Sequence, residues 1–126
     1  MAIPHAASGE VIDIRPLGDQ LAGAVTCTLV KSDRLEVIRL VVPAGKLIPP
    51  HKVAGPITVQ CLEGEVEFSA HGQWQPLRPG HMLHLVGGEL HAVRGVTDSS
   101  VLVTIQLPQR DAEPGAAVDP PKAAGH

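Results

Sequence analysis

Aromatic side chains are nearly missing from this chain: among 126 residues there is one Trp, one Phe and no Tyr. A core must therefore be assembled from Val, Leu, Ile and Ala, with Phe68 and Trp74 as the only large rings. Cysteine is as scarce, and Cys27 and Cys61 fit no metal or redox spacing, so both read as reduced core residues. Ten Lys and Arg are scattered singly against thirteen Asp and Glu, for a net charge of -3 with His neutral. Without a basic stripe, nucleic acid is not an expected partner. No apolar run approaches membrane-spanning length. The opening MAIPHAASGE lacks the charged and apolar regions of a signal peptide, so the expectation is no membrane and a cytoplasmic location. No twelve-residue stretch carries a 3.6-residue apolar period, which leaves no room for an attached helix-turn-helix domain. A nucleophile elbow and a Gly-rich loop opening a helix are both lacking, as is any internal repeat.

What is abundant is punctuation. Thirteen glycines and twelve prolines recur every ten or so positions, and between them lie short runs of β-branched and aliphatic residues, the pattern of an antiparallel sandwich or barrel. Candidate strands are Glu10–Ile14, Leu21–Lys31, Leu35–Val42, Lys46–Ile48 and Ile57–Leu62, then Glu65–Ala70, Gln73–Leu77, Met82–Val86, His91–Arg94 and Val101–Leu107. Turn residues such as Glu63-Gly64, His71-Gly72, Pro79-Gly80 and Gly87-Gly88 separate them. The expected organisation is an N-terminal extension over 1–9, one barrel over 10–108, and a flexible Pro/Ala-rich tail over 109–126.

Alternation adds detail. In Glu65–Ala70, Val66, Phe68 and Ala70 face one way while Glu65, Glu67 and Ser69 face the other, as in a half-buried strand. Leu35–Val42 and Val101–Leu107 are apolar almost throughout, which suits strands covered on both sides. A second subunit is one such cover, so a homodimer is expected, with Val11–Ile14 as a segment that pairs across the interface.

The stretch from Gly45 to Gly95 carries a more specific signal. His51 follows Gly45 after five residues, and the strand from Ile57 ends in the Glu63-Gly64 turn. Gly80 opens a strand, and His91 comes eleven residues later behind Gly87-Gly88. This spacing resembles the two motifs of the cupin superfamily, G-x5-H-x-H-x3-4-E-x6-G and G-x5-P-x-G-x2-H-x3-N. The resemblance spans roughly residues 10 to 107 and implies an all-β, jelly-roll barrel, the double-stranded β-helix. It also implies a metal held by three histidines and a glutamate. Gly45, His51, Gly64, Gly80, Gly88 and His91 match their positions. Four positions depart: Val53 stands at the second histidine, Ile57 at the glutamate, Val86 at the proline and Gly95 at the closing asparagine.

Those departures govern the chemistry expected. A divalent transition metal (Fe, Mn, Ni or Zn) needs three or four donors at about 2.0–2.2 Å, and Val and Ile donate nothing. One reading makes His51, Val53, Ile57, Cys61 and His91 the lining of a pocket that binds a small, largely apolar organic molecule, the histidines supplying its polar contacts. A second reading is a metal-dependent enzyme, of dioxygenase or isomerase type, that recruits a displaced third ligand. His84 is the candidate, since with Met82 and Val86 it shares one face of a strand, and that face pointing inward would add a third imidazole. Metal-free proton transfer by His51 or His91 is a third reading. The fold hosts too many activities to choose among substrates.

Overall fold

A computed structural model describes residues 5–108, so the proposed tail over 109–126 lies outside the described residues. Nine strands form: β1 (Cys27–Lys31), β2 (Leu35–Val42), β3 (Leu47–His51), β4 (Ile57–Glu63), β5 (Val66–Ala70), β6 (Gln73–Leu77), β7 (Met82–Leu85), β8 (His91–Gly95) and β9 (Ser99–Gln106). They make two antiparallel sheets, one in the order β1-β2-β9-β4-β7 and one in the order β3-β8-β5-β6. The architecture is the expected double-stranded β-helix, and among the described residues it contains no α-helix.

Strand register explains how an aliphatic chain builds this core. In the larger sheet Ile57 pairs with Ile105 and Leu85, Val59 with Val103 and Leu83, and Cys61 with Val101. Each set stands on the same side of the sheet because side chains alternate with period two. In the smaller sheet Val66, Phe68 and Ala70 sit opposite Gly95, Val93 and His91. The two inner rows meet as one cluster in which Phe68 is the single aromatic ring. Gly64 closes the β4–β5 turn with φ +75°, and a Cβ there would run into the Asp98 carbonyl and Ser99. Only glycine serves both needs.

One expected strand does not form and another is shortened. Glu10–Ile14 and the first half of Leu21–Lys31 belong to an irregular segment that contains one 3-10 turn, Gly18–Gln20. Its Pro16, Gly18 and Gly23 break extended runs, and several of its backbone donors are satisfied outside any strand ladder. Ala6 N–H reaches the Leu29 carbonyl at 2.8 Å, while Leu17 and Gly18 N–H donate to the two carboxylate oxygens of Glu63 at 2.9 and 3.1 Å. Glu63 also accepts from the Ser100 hydroxyl at 2.7 Å. Burial raises the Glu63 carboxyl, but these donors and the nearby Arg39 outweigh it and leave the pKa lowered. The segment thus lies over the outer face of the larger sheet. That explains the continuous apolar pattern of β2, whose second cover includes the chain's own N-terminal region.

Glu63→Ala removes an anionic acceptor from three donors. Charge-assisted bonds of this kind contribute about 1.5–3 kcal/mol each when intact, less where water can substitute. We expect a net loss of about 1–3 kcal/mol in denaturant unfolding and faster proteolytic cleavage between Pro16 and Ala24. Unchanged cleavage in that segment would dissociate Glu63 from its anchoring.

Candidate functional site

The two motif histidines are brought together by a strand irregularity. β3 is the edge of the smaller sheet and contains Pro49 and Pro50, tolerated there because an edge strand need not donate on its free side. Its register with β8 shifts between Ile48 and His51, so that His51 falls directly opposite His91. The ring centroids are 4.3 Å apart with planes tilted by 59°. On its other side His91 lies nearly parallel to Phe68, with centroids 5.5 Å apart. His91 is only 5% exposed, whereas His51 is exposed and stands at the mouth.

Both rings are oriented in the same way. His91 Nδ1 lies 2.9 Å from the Glu89 carbonyl oxygen, and His51 Nδ1 lies 3.1 Å from the Pro49 carbonyl oxygen. A carbonyl only accepts, so each Nδ1 carries the proton and each neutral ring keeps its lone pair at Nε2. Burial lowers the His91 pKa, with the neighbouring His51 acting in the same direction, against the opposing pull of Glu89. His91 is therefore a neutral hydrogen-bond acceptor near pH 7.

Behind the pair lies a cavity of about 140 Å³. The larger sheet lines it with Ile38, Leu40, Ile57, Val59, Val103 and Ile105, and the smaller with Ile48, Phe68, Val93 and the two histidines. Val53 enters from the loop between β3 and β4. All four positions that the motifs assign to metal ligands thus border one space, two as imidazoles and two as hydrocarbon.

The remaining candidates lie elsewhere. His84 pairs with Thr58 on the outer face of the larger sheet and is exposed, beside Met82 and Val86, because Leu83 and Leu85 take the inward positions of that strand. It is apart from His51 and His91, so the expectation of a third inward imidazole is corrected. Cys61 is buried but lies further along β4, its thiol donating to the Glu63 and Gly64 carbonyls, and it does not line the cavity. Burial raises its pKa and keeps it a neutral thiol. The Glu89 carboxylate faces His71 at 3.4 Å, so Glu89 orients His91 through its carbonyl and not through its side chain. Among the described residues no group of three or more His, Cys, Asp or Glu side chains could hold a metal ion. Two imidazoles facing hydrocarbon do not fit a resident transition metal.

Sequence reasoning placed Phe68 inward but missed its stacking on His91, since pairing across β5 and β8 is a tertiary fact. The carbonyls that fix both tautomers carry no residue-type signal at all.

Comparison with known proteins bears on fold more than on activity. No family model matches the chain, and no curated protein matches it. Solved structures do. A conserved protein of unknown function from Streptococcus pyogenes superposes with a TM-score of 0.67 at 20% identity, over 87% of this chain and 97% of that one. An RmlC-like cupin protein from Desulfovibrio desulfuricans is 30% identical over 81% of this chain and 97% of that one, with a TM-score of 0.61. Salicylate 1,2-dioxygenase from Pseudoaminobacter salicylatoxidans, solved with gentisate, gives a TM-score of 0.60 at 15% identity, over 64% of this chain and 24% of that one. The last is a likeness of fold alone.

The lowered His91 pKa has a consequence for stability. The folded ring takes up a proton less readily than the unfolded one, so the neutral buried ring costs nothing above the ordinary imidazole value of about 6.5. Stability then declines as pH falls below it. We expect the thermal midpoint to drop between about pH 7 and pH 5.5, above the range where carboxylates titrate. His91→Asn keeps an N–H for the Glu89 carbonyl but cannot titrate, and should flatten that decline; identical profiles would show that the ring is not its source.

Proposed function

This chain belongs to the cupin superfamily, and from that premise we propose that its barrel interior binds a small, largely apolar organic molecule rather than a metal. The observation that carries this reading is the conversion of Val53 and Ile57, at two metal-ligand positions of the motif, into walls of the cavity that His51 and His91 share. An apolar space of about 140 Å³ is close to the ~150 Å³ that accommodates a benzene-sized molecule. It is well below the several hundred Å³ of pockets that take larger ligands. The Nε2 lone pair of neutral His91 is an acceptor, so the fitting ligand is neutral, about the size of one six-membered ring, and carries a single hydroxyl or N–H donor. The hydrocarbon lining supplies affinity, and the one directed hydrogen bond fixes orientation, adding about 1 kcal/mol net.

Phenol is the simplest probe. We expect saturable binding by calorimetry, weakened about five- to tenfold in His91→Ala, the equivalent of roughly 1–1.4 kcal/mol. Binding should also weaken as pH falls through the lowered His91 pKa, below the ordinary imidazole value of about 6.5, where protonation removes the acceptor. Phenol binding that ignores both changes would place it outside this cavity.

The metal question has its own test. Protein purified without a histidine tag is expected to contain far less than stoichiometric Fe, Mn, Ni or Zn. Restoring the two missing donors in the double variant Val53→His, Ile57→Glu should raise metal content towards one ion per chain. Near-stoichiometric metal in the unmodified protein, lost in His51→Ala and His91→Ala, would overturn the proposal.

A further inference from the structure

The geometry points to a second binding site, on the outer face of the larger sheet, where Arg39 takes the carboxylate of a small organic acid with a short apolar body. Arg39 stands on β2 between Cys27 of β1 and Leu102 of β9, on the side away from the barrel cavity. Although it faces outward it is only 5% exposed, because the N-terminal segment lies over it. Its Nη2 donates to the Asp13 carbonyl at 3.3 Å. Its Nη1 is buried and finds no acceptor among the described residues.

The lack of a partner is notable because two carboxylates are near enough to feel the Arg39 charge, those of Asp13 and Glu63. Both are already committed. Asp13 accepts from Arg15 through both oxygens, at 3.0 Å from Nε and 2.8 Å from Nη2. Glu63 accepts from Leu17, Gly18 and Ser100. Among the described residues Arg39 forms no ion pair. A guanidinium removed from water with an unsatisfied N–H is costly to keep, and a planar donor fork is matched best by an oxyanion.

Space for that ligand adjoins the guanidinium. A groove of about 530 Å³ has apolar walls that include Leu17, Val25 and Leu29, with Gln20, Arg39, Asp13 and Glu10 also on its lining. A more polar hollow of about 510 Å³ continues from it past Asp13 and Arg15. The walls suit an aliphatic body with Gln20 at the rim. Charge limits the ligand to a single negative charge: Arg15 is paired with Asp13 and Arg39 has no ion-pair partner among the described residues, but the Glu63 and Glu10 carboxylates stand nearby. A phosphate dianion would also meet Glu63, Asp13 and Glu10, whose carboxylate accepts from Ala7 N–H at 2.8 Å. None of this depends on what the barrel cavity holds.

The test is calorimetric titration of the full chain with sodium hexanoate, with inorganic phosphate as the second probe. We expect saturable hexanoate binding, tighter than that of phosphate, that excess phenol does not displace. Arg39→Met should weaken it by at least about tenfold. Should that core substitution fail to fold, Gln20→Glu, on the exposed 3-10 turn, adds a negative charge at the rim and should weaken binding in the same direction. The assignment is overturned by the absence of hexanoate binding, by tighter phosphate binding, by displacement with phenol, or by affinity unchanged in Gln20→Glu.

Discussion

Two sheets lined almost wholly with short aliphatic side chains must close on each other tightly enough to exclude water. Every other feature of this molecule answers to that constraint. Facing sheets sit about 10 Å apart, a separation that Val, Ile and Leu fill where both inner rows are continuous. Phe68 is the only large ring in the core, and it stands on β5, an inner strand of the smaller sheet. Where β3 shifts register at Pro49-Pro50, two imidazoles replace aliphatic side chains and the filling is incomplete. The cavity of about 140 Å³ forms there. It is what remains when a core with one phenyl ring is wrapped around a pair of histidines.

The outer face of the larger sheet poses the opposite problem. β2 carries Leu35, Val37 and Val41 on its outer side and β9 adds Leu102, so an uncovered outer face would expose a hydrophobic stripe. The N-terminal segment supplies cover without becoming a strand. Its attachment is polar: Glu63 grips Leu17 and Gly18, and Arg39 holds the Asp13 carbonyl. Some apolar surface stays open, with Val11 92% and Val25 77% exposed. The tether therefore fixes a groove beside Arg39 instead of sealing the sheet.

Much of this was legible from residue order, and the failures have physical causes. Turn glycines and period-two alternation located eight of the nine strands to within a few residues, because local sterics fix both signals. Glu10–Ile14 misled because Val11, Ile12 and Ile14 have strand-like character, while the availability of a pairing edge is a tertiary property. His84 could not be placed because both faces of Met82–Val86 offer apolar residues, Met82 and Val86 beside His84 and Leu83 with Leu85 opposite; only the pairing with β4 decides that Leu83 and Leu85 point in. Glu63 stands at a turn, and nothing local distinguishes it from Glu65 and Glu67. Its role comes from a segment some 45 residues away.

Replacing two metal-ligand positions with Val53 and Ile57 does more than remove donors. A motif-complete site would place a carboxylate at position 57, buried beside Ile105 and Leu85. Such a charge is tolerable only while a cation pairs with it. With hydrocarbon there the interior needs no cation, and His91 stays neutral through burial. The interior is then selective against charge of either sign, because an ion would enter without a partner to compensate it. Arg39 sets the reverse condition on the outside, where a buried cation selects for an anion. One sheet thus separates two environments of opposite preference, and the alternation of β2, with Ile38 and Leu40 inward and Arg39 outward, is enough to create both.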